Sequence, residues 1–301
     1  MKYLDQVEVG GKKVFVRVDF NVPMDKAGNV TDDTRLRASL PTINYLREKG
    51  AKVILASHLG RPKGKRVDEF SLGPVAPVLA GLLKTDVPFV DDCIGEKARQ
   101  AAAGLKSGAV ILLENLRFHG GEDKNDEDFA RELASLCDIY INDAFAVAHR
   151  AAASNTAITR YAPVSAAGFL LKNEIEYFNK AMKNPSRPLV AIIGGAKVSD
   201  KIKLLENIID NVDCLLVGGG MAFTFLKANG YNVGKSICEN DMLELARQIM
   251  AKAKAKNVRL LLPVDVIISQ AASADAERNI VEIKDIPEGW MGLDIGPATI
   301  D

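Results

Sequence analysis

The chain has 301 residues, enough for two domains of about 150 residues each. Its 39 lysines and arginines balance its 39 aspartates and glutamates, which argues against a chain-wide nucleic-acid-binding surface. Hydrophobic residues make up 48% and charged residues 26%, as in folded globular proteins, and no uncharged run reaches the roughly 20 residues of a membrane span.

The cysteines and the first residues indicate the compartment. Cys93, Cys137, Cys214 and Cys238 have neither the density of a disulfide scaffold nor a C-x-x-C metal spacing. The chain begins Met1-Lys2-Tyr3-Leu4-Asp5, with an acid where a signal peptide needs an apolar core. We therefore expect a reduced, cytoplasmic protein without a membrane partner.

The first half alternates short β-branched runs with longer helix-like stretches, which predicts parallel βαβ units. Predicted strands cover residues 13–19, 51–57, 87–90, 109–113 and 138–142. Predicted helices cover residues 34–49, 75–83, 96–103 and 126–136. Pro41 is expected to kink the first helix or to mark its true start, with Ser39 near the cap.

Polar segments follow four of these strands. They are Asp19-Phe20-Asn21, Ser57-His58-Leu59-Gly60-Arg61, Glu114-Asn115-Leu116-Arg117 and Asn142-Asp143, with His149-Arg150 a few residues later. Ligands of open α/β sheets bind outside the carboxyl ends of the strands, so these segments are expected to meet at one sheet edge.

Several cations belong to this predicted edge: Arg35, Arg61, Arg117, Arg150 and His58. Guanidinium groups bind phosphate and carboxylate bidentately, so the cluster predicts a site for a small polyanion rather than a set of solvated charges. Asp19 and Asn21 can bind hydroxyl groups of that ligand or orient an arginine. His119 is as compatible with a loop histidine bonded to backbone as with a ligand contact.

A helix is predicted over residues 172–183, and Asn184-Pro185-Ser186-Arg187-Pro188 ends it and marks a domain boundary. A second series follows, with strands over 189–193, 214–217 and 259–262 and helices over 198–211, 221–229 and 241–256. Residues 292–297, from Gly292 to Pro297, have the composition of a loop that opens a helix. With so few strands, we expect a second domain that is incomplete within these 301 residues.

Glycines end the first two strands of the second series. Gly194-Gly195-Ala196-Lys197 would let phosphate oxygens approach N–H groups at the start of a helix. Lys197 and Lys201, four residues apart, would lie on one helix face, where two cations oppose the helix dipole unless an anion lies between them. A solvated face with Lys201 paired to an acid is the alternative. Gly218-Gly219-Gly220 permits a second phosphate contact or an uneventful turn.

Motifs of several other enzyme classes do not occur in the sequence. There is no G-x-x-x-x-G-K-[ST], which excludes a P-loop enzyme, and no H-E-x-x-H metal spacing. The second series lacks G-x-G-x-x-G after its first strand and the ribose-binding acid after its second, which disfavours a nicotinamide-dependent dehydrogenase.

In chain order, seven segments together resemble the phosphoglycerate kinase family. They are residues 17–23, 57–62, 113–118, 148–151, 194–198, 218–222 and 289–294. The resemblance implies two α/β domains with doubly wound, Rossmann-like parallel sheets, joined by a helix. It also implies reversible phosphoryl transfer between 1,3-bisphosphoglycerate and ADP, giving 3-phosphoglycerate and ATP in glycolysis. Residues 1–171 would bind 3-phosphoglycerate, 172–184 would form the interdomain helix and hinge, and 185–301 would be part of the nucleotide-binding domain.

The resemblance also implies the residues that bind each substrate. For 3-phosphoglycerate they are Asp19, Phe20, Asn21, Arg35, His58, Leu59, Gly60, Arg61, Arg117 and Arg150. For ADP or ATP, which bind with Mg²⁺, they are Gly195, Ala196, Lys197, Lys201, Gly218, Gly219, Gly220 and Gly292. Arg35 and Lys201 match residues that neutralise the phosphoryl group in flight. We expect no side chain of the 301 residues to bind the metal directly and no nucleic-acid partner. The full-length protein is expected to be a monomer.

Two departures from the family pattern affect what is expected of the chain. Ala146, Val147 and Ala152 stand where the family usually has Gly, Thr and His, which leaves the conformation of the loop before Arg150 open. The family also continues for roughly ninety further residues. We therefore expect a C-terminally truncated kinase that binds 3-phosphoglycerate with little or no turnover, the alternative being a non-catalytic anion-binding module.

The chemistry expected of the family needs no general base, because the acceptor oxygen belongs to a carboxylate that is already ionised at neutral pH. Catalysis would then consist of positioning and electrostatic stabilisation of the transferring group. Two ligands held by separate domains must be brought together, which predicts hinge closure around residues 172–183.

Overall fold

The computed structural model of the protein describes residues 1–183 and 185–301. The chain forms two compact units, Met1–Phe178 and Asn179–Asp301. Both contain parallel sheets alternating with helices, which confirms the predicted α/β fold class. The predicted assignment of one substrate to each domain stays a prediction. Asn184, predicted to begin the turn after the interdomain helix, lies outside the described residues.

The first unit contains a six-stranded sheet in the order β3-β4-β2-β1-β5-β6, and every neighbouring pair is parallel. The strands are β1 (Lys13–Arg17), β2 (Lys52–Ala56), β3 (Phe89–Val90), β4 (Val110–Leu113), β5 (Ile139–Asn142) and β6 (Val164–Ala167). The first five lie where the sequence predicts them, one or two residues shorter at some ends. β6 was not predicted, because Val-Ser-Ala-Ala is short and weakly apolar.

Seven α-helices belong to the described part of this unit or begin in it. They are α1 (Thr34–Glu48), α2 (Val75–Leu83), α3 (Gly95–Gly104), α4 (Gly120–Asp123), α5 (Glu127–Ala134), α6 (Phe145–Ala148) and α7 (Phe169–Met182). α1 runs from Thr34 through Pro41, so the alternative start near Ser39 is wrong. α7 begins three residues before the predicted start at Lys172, because Asp143 and Thr42 accept hydrogen bonds from its first N–H groups.

The sheet of the first unit is buried on both faces. Val14 and Val16 of β1 belong to one buried cluster, whereas Phe15 between them belongs to a second. Because successive side chains of a strand point to opposite faces, the two clusters lie on opposite sides of the sheet. The near-continuous apolar strands of the sequence follow from this double burial.

The second unit contains two sheets of three strands. β7 (Val190–Gly194), β8 (Cys214–Gly218) and β9 (Arg259–Leu261) are parallel, in that order. β10 (Asp265–Ser269) pairs antiparallel with β11 (Arg278–Glu282) on one side and β12 (Met291–Ile295) on the other. The antiparallel sheet was not predicted, and the expectation of a loop over residues 292–295 is wrong because they form most of β12.

The helices of the second unit are α8 (Ile202–Ile208), α9 (Met221–Ala228), α10 (Leu243–Ala255) and α11 (Pro297–Ile300). α9 and α10 pack beside the parallel sheet, where Leu215 and Val217 share a buried cluster with Ala246 and Ile249. Ile192 of β7 remains 78% exposed. Nowhere in the part of the chain that the structure describes is a helix both long and apolar enough to cross a membrane.

Candidate active site

The polar segments of the first unit meet at the carboxyl edge of its sheet. Arg17, the last residue of β1, is in register with Ala56 of β2 and Asn142 of β5. The segments that follow these strands are therefore neighbours. This is the convergence expected of parallel strands.

Asp19 and Arg35 form an ion pair at this edge, between Oδ2 and Nη1. The Asp19 side chain is 10% exposed and that of Arg35 is 46% exposed. Both line a small cavity together with Ala144, Leu170 and other residues. Asp19 thus fixes a guanidinium whose other donors remain open to solvent, which is the orienting role that its sequence position allows.

The loop that carries Leu59 and Gly60 is held by two asparagine side chains. Asn21 Oδ1 accepts a hydrogen bond from the Gly60 N–H at 2.8 Å. Asn115 is fully buried, and its Nδ2 donates to the carbonyls of Leu59 at 2.7 Å and Phe70 at 2.8 Å. Asn115 was not among the predicted site residues. Its position directly after β4, in a segment that was singled out, is the signal that could have found it.

Three of the predicted arginines, Arg61, Arg117 and Arg150, line one open groove of about 540 Å³. The other residues that line it are Lys63, Asp123, Ala151 and Ala152. Arg117 is buried, donates from Nη1 to the Gly60 carbonyl at 2.9 Å and lies 3.3 Å from Asp123 through Nε. Arg61 and Arg150 are exposed. The structure thus brings these three arginines together and places Arg35 at the separate cavity beside Asp19.

The loop before Arg150 has a defined conformation despite its unusual residues. Residues Phe145–Ala148 form the short helix α6, and Val147 and Ala152 are both buried. The Arg150 N–H donates to the Val147 carbonyl at 3.0 Å, and the Ala152 N–H donates to the Arg150 carbonyl at 2.9 Å. These backbone bonds place Arg150 at the groove.

A buried arginine and a buried histidine lie beneath these groups. Arg17 donates to the Val18 carbonyl, to Ser154 Oγ at 3.0 Å and to His58 Nδ1 at 3.1 Å. Ser154 in turn donates to Glu122 at 2.6 Å. Because the guanidinium is a donor, His58 Nδ1 accepts and the ring hydrogen lies on Nε2. Arg17, although part of a quoted segment, was not predicted as a site residue.

The pKa of His58 reflects its burial and the positive charges around it. Burial is the main cause that lowers its pKa to about 2, and the positive charges of Arg17, Arg117, Arg150 and Arg35 lower it further. The imidazole is therefore neutral at pH 7. The same field that opposes a proton on His58 favours a bound anion.

His119 lies away from the lining of the groove. Its Nε2 is 2.7 Å from Asp92 Oδ1, and its ring stacks on Phe129. Cys93 lies beside this pair, and all three potential ligand atoms fall within 4.8 Å of one another. Burial raises the pKa of the Cys93 thiol well above its usual value, so the thiol is protonated and packs as part of the apolar core. The His119–Asp92 pair accounts for the histidine.

Two glycine turns meet in the second unit. Gly194 of β7 is in register with Gly218 of β8. Gly219 has a φ of +65°, and a Cβ there would lie 3.0 Å from the Gly195 nitrogen. A Cβ on Gly220 would lie 3.3 Å from Ala196. Close backbone approach between the turns thus accounts for glycine at 219 and 220.

Lys201 lies over the first of these turns, but the expected helix start is wrong. α8 begins at Ile202, after a 3₁₀ turn over Ser199–Lys201, so Lys197 precedes the helix and the two lysines do not share an α-helical face. The Lys201 Cε is nevertheless 3.8 Å from where a Cβ on Gly195 would be. In the described part of the chain, the N–H groups of Ala196 and Lys197 have no hydrogen-bond partner within the protein.

A carboxylate, that of Glu239, is bonded to the segment between these lysines. Glu239 accepts hydrogen bonds from the Val198 and Ser199 N–H groups at 2.6 and 3.1 Å, and from Ser199 Oγ at 2.6 Å. Partial burial opposes ionisation, but the bonds from Ser199 and Val198 outweigh it and lower the pKa of Glu239. Sequence reasoning missed Glu239, which is 40 residues from Ser199.

Gly292 lies in β12 and packs against an aromatic ring. A Cβ there would be 2.2 Å from Phe223 Cζ, and its N–H donates to Ser236 Oγ at 2.8 Å. Gly219 and residues 293–295 line one small depression beside it. Contact with Phe223 accounts for the glycine, and its predicted contact with nucleotide stays a prediction.

Comparison with known proteins gives one consistent family. A family model described as phosphoglycerate kinase matches residues 4–301. Phosphoglycerate kinases of Geobacter metallireducens and of an Anaeromyxobacter species are each 56% identical, over 301 and 303 aligned residues. Each match covers 100% of this chain and 76% of the relative. The chain thus spans about three quarters of the length of these relatives.

Solved structures give the same result. The phosphoglycerate kinase of Coxiella burnetii matches with a TM-score of 0.85 and 45% identity, over 99% of this chain and 75% of that one. The enzyme of Pyrococcus horikoshii OT3 matches with a TM-score of 0.83 and 32% identity, over 99% of this chain and 76% of that one.

Proposed function

This chain belongs to the phosphoglycerate kinase family, whose members are kinases of glycolysis, and we propose that its first unit binds 3-phosphoglycerate or 1,3-bisphosphoglycerate and its second unit ADP or ATP. The observation that carries the proposal is the open groove lined by Arg61, Arg117 and Arg150. The positive charges of four arginines, which help to lower the pKa of His58, support it. A small ligand with a phosphate and a carboxylate complements such a groove.

We propose that the arginines divide the ligand between them according to their exposure. Arg61 and Arg150 are exposed and free to adjust to a phosphate, whereas Arg117 is already fixed on the Gly60 carbonyl. Asp19 and Asn21 would accept hydrogen bonds from the hydroxyl of the substrate. The Phe20 and Gly60 N–H groups donate to Ser57 Oγ and Asn21 Oδ1, which holds their loops next to these two side chains.

The nucleotide would be bound at the paired glycine turns of the second unit. A Cβ at Gly218 would meet no atom within 4 Å and one at Gly195 only Lys201 Cε, so both positions leave room for phosphate oxygens, and the free N–H groups of Ala196 and Lys197 can donate to them. Lys197 and Lys201 supply positive charge. The Glu239 carboxylate is already occupied by three donors, so we expect Mg²⁺ to be held by the nucleotide phosphates and to enter as part of the Mg·ADP substrate.

For the reaction itself, we propose electrostatic stabilisation without a general base. The carboxylate of 3-phosphoglycerate is ionised at neutral pH and needs no deprotonation. His58, with a pKa of about 2, is too weak a base to take a proton and acts as an Nε2–H donor. Arg35, oriented by Asp19, and Lys201 would neutralise the charge on the transferring phosphoryl group.

We further propose that residues 1–301 by themselves bind 3-phosphoglycerate with little or no turnover, since their relatives are about one third longer than the matched part. Titration calorimetry with 3-phosphoglycerate and with Mg·ADP tests the proposal. Arg150→Ala is expected to weaken 3-phosphoglycerate binding at least tenfold and to leave ADP binding unchanged. Arg99→Ala, a change of an exposed arginine paired with Glu132, is the matched control.

Two outcomes of this titration and one of a coupled activity assay separate the proposals. Unchanged 3-phosphoglycerate affinity in Arg150→Ala would contradict the assignment of the groove. Binding of 3-phosphoglycerate without any affinity for ADP would favour a non-catalytic anion-binding module. Robust ATP formation by residues 1–301 in a coupled assay would contradict the expected lack of turnover.

A further inference from the structure

Glu239 joins the two glycine turns of the second unit. Its carboxylate accepts three hydrogen bonds from Val198 and Ser199, in the segment that follows the first turn. Its own N–H donates to Thr224 Oγ1 at 3.1 Å. Thr224 is buried in α9, the helix that begins directly after Gly218–Gly220. One residue therefore connects the segments after β7 and after β8.

These bonds act on the part of the chain that carries the two lysines. Val198 and Ser199 lie between Lys197 and Lys201, and a second tie, from the Met221 N–H to the Gly195 carbonyl at 2.8 Å, holds the turn from the other side. Between the two connections, the N–H groups of Ala196 and Lys197 have no hydrogen-bond partner in the described part of the chain. A turn held at both ends is preorganised for a ligand.

Glu239 is unsuited to contact a phosphate itself. A carboxylate repels phosphate, and both of its oxygens already accept bonds from the protein. Its negative charge is instead balanced by three donors and by the nearby charge of Lys197. Any effect of Glu239 on nucleotide binding must therefore act through residues 197–201.

We propose that Glu239 is a positioning residue of the nucleotide site, which holds residues 197–199 so that Lys197, Lys201 and the free N–H groups are directed at the phosphates. The inference rests on the proposed function of the second unit. Glutamine at 239 would keep one acceptor oxygen but set an NH₂ donor against the N–H and O–H donors of the turn. Aspartate would keep the charge on a shorter side chain.

The test measures ligand affinity and local order in the same variants of the 301-residue chain. Glu239→Gln, Glu239→Asp and Ser199→Ala are compared with Glu244→Gln, an equal charge change at an exposed α10 residue whose partner is Arg247. Calorimetry gives the affinities for Mg·ADP and for 3-phosphoglycerate at a temperature where every variant is folded. Amide hydrogen exchange at Val198 and Ser199 reports the order of the turn.

Loss of charged hydrogen bonds in Glu239→Gln is expected to weaken Mg·ADP binding roughly tenfold and to speed exchange at Val198 and Ser199. Ser199→Ala, which loses one bond, is expected to weaken it a few-fold, and Glu239→Asp to recover part of the affinity. Affinity for 3-phosphoglycerate and all values for Glu244→Gln stay unchanged. A merely structural residue would lower stability without this selective loss.

The contrary outcomes separate the two proposals. If the wild type binds Mg·ADP and Glu239→Gln binds it equally well, only the positioning role is overturned. If the wild type has no affinity for Mg·ADP, the proposed nucleotide site fails and the positioning role fails with it. Should Glu239→Gln not fold, unchanged ADP affinity in Ser199→Ala and Glu239→Asp overturns the positioning role.

Discussion

Replacing Asp143 by asparagine is expected to stabilise the first unit at neutral pH and to make its stability less dependent on pH. Asp143 follows β5 and is fully buried. Its Oδ1 accepts hydrogen bonds from the Leu170 and Leu171 N–H groups of α7, at 2.9 and 3.2 Å. Its Oδ2 is buried without a hydrogen-bond partner. The charged form therefore lacks much of the solvation it would have in water.

The size of the effect follows from the pKa. Burial is the main cause that raises the pKa of Asp143 from 3.8 to about 6. At 1.36 kcal/mol for each pH unit, the difference between the unfolded and folded states corresponds to about 3 kcal/mol. Because the folded pKa is the higher one, this stability is present below about pH 4 and is lost as the pH rises to about 6.

Urea unfolding of wild type and Asp143→Asn, followed by circular dichroism between about pH 4 and pH 8, measures the difference. An unpaired amide N–H offsets roughly 1–2 kcal/mol, so the variant is expected to be more stable at pH 7 by about 1–2 kcal/mol and less stable near pH 4. Asp275→Asn, an exposed change of equal charge, is the control. Parallel pH profiles for wild type and Asp143→Asn would refute the reasoning.

Three further outcomes are expected. His58→Gln is expected to reduce the loss of first-unit stability at acid pH. A histidine whose pKa falls from 6.5 to about 2 on folding contributes stability that is complete above about pH 6.5 and declines below it, by about 2 kcal/mol at pH 5. The same loss of stability at acid pH in wild type and variant, measured by urea unfolding, would contradict this. Gly292→Ala is expected to destabilise the second unit by about 1–3 kcal/mol because the new methyl group clashes with the Phe223 ring. Gly81→Ala, in open space within α2, is expected to stabilise the first unit by about 0.5–1 kcal/mol. Equal and small shifts of the thermal unfolding temperature in both variants would contradict the packing of Gly292 against Phe223. Lys201→Ala is expected to weaken Mg·ADP binding at least tenfold without changing the affinity for 3-phosphoglycerate. In a chain extended to the length of its relatives, it is expected to lower kcat by orders of magnitude. A near-normal kcat would contradict the catalytic role of Lys201.

The sheet of the first unit could be predicted because both of its faces are buried. Its strands are short apolar runs separated by helices with clear periodicity, and each pairs in parallel with neighbours of the same kind. The antiparallel sheet of the second unit offers no such signal. β11 is Arg-Asn-Ile-Val-Glu and largely exposed, so it lacks the alternation of apolar and polar residues that predicts a half-buried strand, although it is the next strand after β10 in the chain.

The candidate site divides in a similar way. Arginines after strands could be found from chain order alone, because the carboxyl ends of parallel strands share one edge. The side-chain hydrogen bonds that support the two candidate sites could not be predicted. The Arg17–Ser154 bond spans 137 residues and the Glu239–Ser199 bond spans 40, so only the folded chain shows them. The helix start predicted at Val198 was wrong because residues 199–201 form a 3₁₀ turn, which the sequence pattern does not distinguish from the first turn of an α-helix.

Backbone amide chemical shifts in a titration of the 301-residue chain test most directly whether each unit binds one of the two substrates. 3-Phosphoglycerate is expected to shift the resonances of residues 20–21, 60–61 and 150–152 in the first unit. Mg·ADP is expected to shift those of residues 195–201 and 218–220 in the second. Shifts from both ligands in the same unit, or none at residues 150–152 with 3-phosphoglycerate, would contradict the account.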